Sequence, residues 1–327
     1  MIKNNAVLKV LLASLFALVL VVALIYAVVW GNDSKLYGKI VFSNTYNQGE
    51  YIDKIVLKNS KDEIVLLQEN SYWLLENKNN YYADFWLVNN LLNSINKSIY
   101  SVKFPYSKKL ADEKYLNNPD DNEENSGILI RTYVKDKIID EIIVGLPSDD
   151  KNYFFARNLK DNNVWLISEN FDLPLYAKDW LSRPIFSILT DRIESITIDD
   201  NIITCEKEFM PFYDRQGRVV NVDVLLDIFS GINIVDVMNE EDFRQLLSEK
   251  ADIKTKKIKV VTSYGLIVDF DIYYNGEKLW SNIKLSTSSL PLTAINDYIN
   301  DSNFLYKGWY FEISSEQGSI LRYFSFI

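Results

Sequence analysis

The stretch that most constrains this chain is the run from Val10 to Trp30, VLLASLFALVLVVALIYAVVW, which holds no charged residue, no Pro and no Gly. A helix needs about 20 apolar residues to cross a hydrocarbon layer of about 30 Å, and the run has that length. It predicts a membrane-spanning anchor with everything after Gly31 as cargo. The competing reading is a cleaved signal peptide, whose apolar core usually spans about 7–15 residues before a small-x-small site. This run is longer and closes on Ala27-Val28-Val29-Trp30. Lipoprotein processing needs a Cys at the boundary, whereas the single Cys is Cys205. Lys3 and Lys9 precede the run and Lys35 and Lys39 follow it. First-helix precedence then favours a cytoplasmic N-terminus, with Tyr26 and Trp30 suited to the interface. The expected organisation is a cytoplasmic N-terminus at residues 1–9, a transmembrane helix at 10–30, a tether at 31–38, and two folded units at 39–185 and 186–327. The expected location is the bacterial inner membrane, single-pass, with the C-terminal part extracytoplasmic.

Composition narrows the chemistry. The chain is 48% hydrophobic over 327 residues, enough for a sizeable core, and its formal net charge is −10. That acidity argues against the basic face that nucleic acid requires. There is no His, so the commonest general base, the usual triads and His-ligated zinc or haem are unavailable. One Cys makes neither an internal disulfide nor a thiolate metal site. With 11 Gly and no phosphate-cradling loop, a nucleotide site is not expected.

Beyond the run, the pattern turns to short strands. Ile52 to Leu57 and Ile64 to Gln68 flank a turn-rich Asn59-Ser60-Lys61-Asp62, and Ser71 to Glu76 adds a third strand, giving a meander. Phe85, Val88, Leu91, Leu92 and Ile95 recur at helical spacing with Asp84 as N-cap. Leu110 to Leu116 reads as a short helical turn. Asn117 to Ser126, NNPDDNEENS, offers oxygen ligands in Asp120, Asp121, Glu123 and Glu124. It lacks calcium-loop spacing and its central Gly, so a solvated loop is preferred. A second sheet is expected over Ile128 to Val134, Ile138 to Val144, Tyr153 to Ala156 and Val164 to Ile167, with turns at Gly145 to Pro147 and Lys160 to Asn163.

Past Pro184 the order of elements starts again. Ile193 to Ile198 copies the form of Ile52 to Leu57, and Val222, Leu225, Leu226 and Phe229 form a stripe like that of Phe85 to Ile95. Glu241 to Ser248 takes the place of Leu110 to Leu116. Strands at Ile258 to Thr262, Leu266 to Tyr273 and Leu279 to Leu285 follow. Leu290-Pro291-Leu292 echoes Leu173-Pro174-Leu175, and Lys307-Gly308-Trp309 echoes Lys178-Asp179-Trp180.

Several segments then carry a family resemblance. They are the N-terminal run, Trp73-Leu74-Leu75, Asn89-Asn90-Leu91-Leu92, Tyr115-Leu116-Asn117-Asn118-Pro119, and the strand ending at Gly145. A closing pattern follows: Tyr153-Phe154-Phe155-Ala156-Arg157, Val164-Trp165-Leu166-Ile167, and Trp180-Leu181-Ser182-Arg183-Pro184-Ile185 leading into Ile193-Glu194-Ser195-Ile196. In these the first half resembles the bacterial envelope family called domain of unknown function 4340, from Lys39 to Ile198 and only loosely beyond. Family members usually carry Gly where Tyr115 stands. The resemblance implies an accessory protein related by context to ABC transporters of the gliding-motility type, and carries no mechanism.

The remaining clusters favour structure over chemistry. Trp180 with Arg183-Pro184 reads as a joint between repeats more readily than as an anion fork. Asp149-Asp150 and Asp199-Asp200 read as turn acids, since adjacent strand residues point apart. Ser182 and Ser187 have no His partner. The C-terminal Tyr323 to Ile327 alternates as a last strand would, the alternative being a docking tail.

The expected fold class is α+β: an N-terminal transmembrane helix followed by two related α+β units of short antiparallel strands with helices on one face. No catalytic, cofactor-binding or metal residue is assigned, and no cofactor is implied. The expected partners are the membrane and proteins of an envelope or transport complex, with no nucleic acid and any small-molecule ligand left open. The expected role is a non-enzymatic accessory or scaffold subunit associated with an ABC transporter. The alternative is an extracytoplasmic glycan-binding protein or a hydrolase using separated carboxylates.

Overall fold

The computed structural model describes residues 19, 36–47, 52–160, 162–182, 188–205, 211–249, 252–287 and 293–326. The run at 10–30 lies outside them apart from Val19, as do the expected N-terminus at 1–9, most of the tether, Arg183-Pro184, Ser187 and Leu290-Pro291-Leu292. Among the described residues no helix is long and apolar enough to cross a membrane. The expected architecture is therefore corrected: the described fold contains no transmembrane helix and is mostly antiparallel sheet, with seven helices.

The first sheet comprises β1 (Lys54–Lys58), β2 (Glu63–Glu69), β3 (Tyr72–Leu75), β4 (Tyr81–Tyr82), β5 (Tyr100–Phe104), β6 (Ile128–Val134), β7 (Lys137–Pro147), β8 (Phe154–Asn158) and β9 (Asn163–Ile167). Its strand order is β4-β3-β2-β1-β6-β7-β8-β9-β5. The second comprises β10 (Ile193–Ile198), β11 (Asn201–Thr204), β12 (Phe212–Tyr213), β13 (Val219–Val220), β14 (Ile234–Asn239), β15 (Lys254–Thr262), β16 (Leu266–Tyr274), β17 (Leu279–Thr287) and β18 (Trp309–Ile313). Its order is β13-β12-β11-β10-β15-β16-β17-β18-β14, the first order with nine added to every label. Helices α1 (Ser43–Asn47), α2 (Phe85–Lys97) and α3 (Lys108–Lys114) accompany the first sheet in sequence. Helices α4 (Asp223–Ser230), α5 (Glu240–Glu249), α6 (Thr293–Tyr306) and α7 (Ser315–Phe326) accompany the second.

The expected meander and the expected second sheet are one sheet. β1 lies antiparallel to β6, Lys54 opposite Tyr133 and Lys58 opposite Leu129. Alternation reports which face of a strand is buried but not which strand lies beside it, so it cannot reveal this join. The shared order also realigns one echo. Trp309 opens β18, the counterpart of β9 with its Trp165, whereas Trp180 sits in a 3-10 turn at Ala177–Trp180 beyond β9. Where a short turn links β8 to β9, α6 stands between β17 and β18.

The described chain forms two compact units that interleave along the sequence: Met1–Glu63 with Asn89–Leu173, and Ile64–Val88 with Pro174–Ile327. In the first unit the core gathers Ile55, Leu57, Leu129, Ile143, Val164 and Trp165. A buried Asp140 carboxylate accepts from Thr45 N at 2.7 Å and Asn44 Nδ2 at 2.8 Å, seating α1. Residues 38–41 meet the start of β5, with Gly38 N donating to Tyr100 O at 2.8 Å, Tyr100 N to Lys39 O at 3.0 Å and Val41 N to Ser98 O at 2.9 Å. Next to β7, α3 and its exit place Ala111 and Leu116 in a cluster with Leu129, Ile143 and Val164. The approach is closest at Gly145, where a Cβ would meet the carbonyls of Lys114 and Tyr115. Tyr115, at φ +57°, caps α3 in the left-handed region that Gly occupies freely.

In the second unit, β16 buries alternate residues from Leu266 to Ile272. The intervening Asp269 and Asp271 stand opposite Lys259 and Lys257 of β15, and Asp269 also opposite Lys284 of β17. Such cross-strand pairs contribute about 0.2–1 kcal/mol each and make this face a solvated charge ladder. Residues 64–88 are built into the unit. Tyr81 packs edge-on against Trp309 at 4.9 Å and Phe311 at 5.9 Å, and Lys78 pairs with Asp236 at 2.7 Å. The outer side of β4 is closed by residues 180–182. Asp84 N donates to Trp180 O at 2.7 Å and Ser182 N to Tyr82 O at 3.0 Å, around a bridge between Ala83 and Leu181. Asp84 also accepts from Leu87 N at 2.9 Å, the N-cap bond that its place before α2 predicts. The strand expected at Tyr323 to Ile327 is corrected to the end of α7. Gly318 and Leu321 are buried three residues apart, a helical interval that a five-residue alternation conceals.

Candidate functional site

One concavity stands out at the β13 end of the second sheet. It is built upward from a tight hairpin. Asp214 Oδ1 accepts from Gln216 N and Arg218 N at 2.9 Å each, while Oδ2 accepts from Arg218 Nε at 2.6 Å. The Arg218 backbone N–H, with its guanidinium, holds the Asp214 carboxyl below the usual carboxylate range. Gly217 supplies the positive φ of +74° that the turn needs. Immediately after β13, Asn221 Oδ1 accepts from Asp223 N at 3.0 Å at the start of α4, whose Leu225, Ile228 and Phe229 are buried.

Between α4 and β10 to β13 this leaves a cavity of about 480 Å³. Ile193, Phe212, Val219, Val220, Val222 and Leu226 supply apolar wall, and Thr190, Asp191, Cys205, Asn221 and Asp223 supply polar groups. A mostly apolar hollow of this size with a few convergent polar groups has the character of a binding site. It holds no base–nucleophile pair: Cys205 is half-buried and no imidazole exists in the chain.

From the acid clusters singled out in the sequence, Asp120, Glu123, Asp150 and Asp199 each meet a partner. Asp120 accepts from Lys58 Nζ and Arg131 Nη2, each at 2.6 Å, and these cations hold its carboxyl low, Lys58 foremost. Glu123 pairs with Lys108, and Asn117 Nδ2 donates to Asp112 Oδ1 at 2.7 Å, so the loop at 117–126 is tied by ion pairs. Among the described residues no group of three acids, Cys or His is placed to hold a metal. Asp150 accepts from Ser148 Oγ at 2.6 Å and Asp199 from Lys256 Nζ at 2.5 Å, and these bonds lower both carboxyls. Downward shifts are what turn and ion-pair acids show, whereas a general acid needs an upward one. Trp180 is fully buried and its Nε1 donates to Pro174 O at 3.1 Å. Tyr273, packed on Tyr310 and Phe243, is pushed by burial up to about 12.

Residues 73–210 match the family model described as Domain of unknown function (DUF4340). This DUF4340 domain opens in β3, spans the Gly145 approach and the Trp165 strand, and takes in β10 and β11. It stops before β12, β13 and α4, so it includes only part of the cavity wall. No curated protein and no solved structure matches the chain. Sequence reasoning assigned no site residue and missed the cavity, because its walls meet only when β10 to β13 pair and α4 folds over them. The Asp214-Arg215-Gln216-Gly217 turn was the one local signal that a hairpin stands there.

Proposed function

We propose that the chain is a non-enzymatic accessory or scaffold subunit of an envelope or transport complex, working by protein contact. The observation that carries this reading is the exposure of large aromatics in one stretch. Phe85 and Trp86, packed edge-on at 5.4 Å on the first turn of α2, are 69% and 70% exposed. Nearby in sequence, Tyr72 is exposed and lies 6.3 Å from the exposed Phe304. Exposed Trp, Tyr and Phe are enriched where proteins meet, and such residues supply most of the binding energy. The engagement of the acid clusters in turns and ion pairs favours binding over hydrolysis. The uncharged composition of residues 10–30 supports a place at the bacterial cytoplasmic membrane, with the folded part outside. The family resemblance supports an ABC transporter of the gliding-motility type as the complex.

The test is copurification from detergent-solubilised membranes. The wild-type chain is expected to bring down transporter or envelope subunits, and Phe85→Ser with Trp86→Ser to lose them at an unchanged thermal midpoint. Recovery of the wild-type chain alone, under conditions that keep known complexes intact, refutes the reading.

A further inference from the structure

We infer that the outer edge of β13, with the cavity beside it, takes an extended basic peptide segment of a partner protein. Its backbone pairs with Val219 and Asn221, and a large apolar side chain enters the cavity. This rests on the reading of the chain as a protein-binding subunit and names the kind of partner that this edge accepts.

The internal repeat supplies the argument. In the shared strand order β13 holds in the second sheet the place that β4 holds in the first. The chain's own segments meet both ends of the first sheet, residues 38–41 at Tyr100, the first residue of β5, and residues 180–182 along β4. At β4 the outward groups are Tyr82 O and Asp84 N, which Ser182 N and Trp180 O satisfy, while Trp180 and Leu181 go to full burial. At β13 the Asp214 N–H bonds to Arg218 O at 3.0 Å, so residue 218 pairs inward. Antiparallel ladders alternate inward and outward residues, which turns the N–H and C=O of Val219 and Asn221 to the outer side. Among the described residues no strand pairs there.

An open edge is a template for a further strand, and proteins blunt, cover or use such edges. This edge offers apolar surface and carries no Lys, although β13 is only two residues long and the exposed Arg218, paired with Asp214, precedes it. Val219 is 66% exposed, and Leu189 and Val224, next to cavity residues, are exposed as well. Val219 and Val220 of this edge strand themselves line the cavity, so it lies directly beside the edge. Asp191 and Asp223 line it and no Lys or Arg does, within a chain of net charge −10. A strand carrying Lys or Arg beside its apolar anchor is therefore the complement.

The covering segment itself supplies the probe: a fluorescein-labelled synthetic peptide of residues 175–183, LYAKDWLSR, titrated against the full chain by fluorescence anisotropy. Saturable binding at micromolar concentrations is expected, weakened at least tenfold when the peptide's Trp is replaced by Ala. Val219→Pro removes an outward N–H and no inward ladder bond, a change that edge strands tolerate, and should abolish binding. Leu226→Trp fills the cavity from α4 and should do the same, so the test survives if one variant fails to fold. Asp223→Asn should weaken binding several-fold at low salt and little at high salt. Absence of saturable binding, or binding indifferent to both Val219→Pro and Leu226→Trp, overturns the inference. So does a concentration-dependent dimer of the chain that Val219→Pro abolishes, or photo-crosslinking from position 219 into the chain itself, since the occupant is then a second copy or its own segment. Copurification lost only in the Phe85 and Trp86 variant would leave the scaffold reading standing while this inference falls.

Discussion

A single methyl group at Gly145 tests how the first unit is held together. Built there, a Cβ meets the carbonyl oxygens of Lys114 and Tyr115 and lies 2.9 Å from Leu116 Cδ2. Neither carbonyl yields alone. Lys114 ends α3, Tyr115 is in the left-handed region, and Leu116 N is tied to Ala111 O at 2.8 Å. Relief requires α3 and its exit to lift from β7, drawing Ala111 and Leu116 out of the cluster with Leu129, Ile143 and Val164. Overpacking of a filled core costs about 1–3 kcal/mol, and partial loss of one buried Leu adds about 1 kcal/mol. Gly145→Ala is therefore expected to destabilise the unit by about 2–4 kcal/mol. Two controls separate crowding from backbone conformation. Gly231→Ala, with open space and extended backbone, should cost almost nothing. Gly217→Ala, with open space but φ +74°, should cost about 1 kcal/mol. Urea unfolding followed by Trp fluorescence is the assay, since Trp165 is buried 4.9 Å from the Tyr100 ring in the same unit. If Gly145→Ala unfolds at the same urea concentration as Gly231→Ala, the close approach of α3 to β7 is refuted.

Acid should loosen the chain through the carboxylates held low, Asp112, Asp120, Asp150, Asp199 and Asp214. Each contributes stability that is present above its unfolded value near 3.9 and is lost as pH falls through its lower folded value. Asp120→Asn should accordingly lower the thermal midpoint at pH 7, by up to about 1 kcal/mol for a part-exposed pair, and not at pH 2. An equal loss at both pH values would assign the effect to packing. Trp180→Ala should cost about 3–5 kcal/mol and Trp180→Phe far less, read as urea midpoints at constant slope; equal costs would place the importance in the bond from Nε1 to Pro174 O.

Local structure was legible wherever a residue's neighbours in sequence are also its neighbours in space. The α2 stripe is buried at Val88, Leu91 and Ile95 with Asp84 capping it, although Phe85 at its head is exposed and Leu92 half-buried, and Ile193 to Ile198 is a strand. Pairing was not legible, because β1 and β6 are separated by a whole helical excursion and any apolar strand could have taken that place. The same limit hid the cavity, whose walls come from three strands, a helix and the residues between them. Trp309 was matched to the wrong tryptophan because α6 lengthens the link before β18 and shifts the apparent period. The helix at the C-terminal end was missed because a few aromatic residues satisfy period 2 and period 3.6 alike. The turn expected at Gly145 to Pro147 is corrected: β7 continues to Pro147, and the glycine answers to neighbouring carbonyls, which no local pattern reveals.

The interleaving of the two units sets an order of events during synthesis. The stretch at 64–88 leaves the ribosome early, yet its ion pair from Lys78 reaches 158 residues ahead to Asp236, and Tyr81 waits for Trp309 and Phe311. β3 and β4 pair with their neighbours early, and residues 180–182 close β4 midway, but the Tyr81 ring stands without its aromatic packing partners until nearly the whole chain has been made. A nascent chain of this kind cannot finish its first unit's neighbours as it goes and is exposed to mispairing in the interval. A C-terminal fragment cut between the repeats would keep all nine strands of its own sheet and still lack the stretch at 64–88 that its compact unit holds.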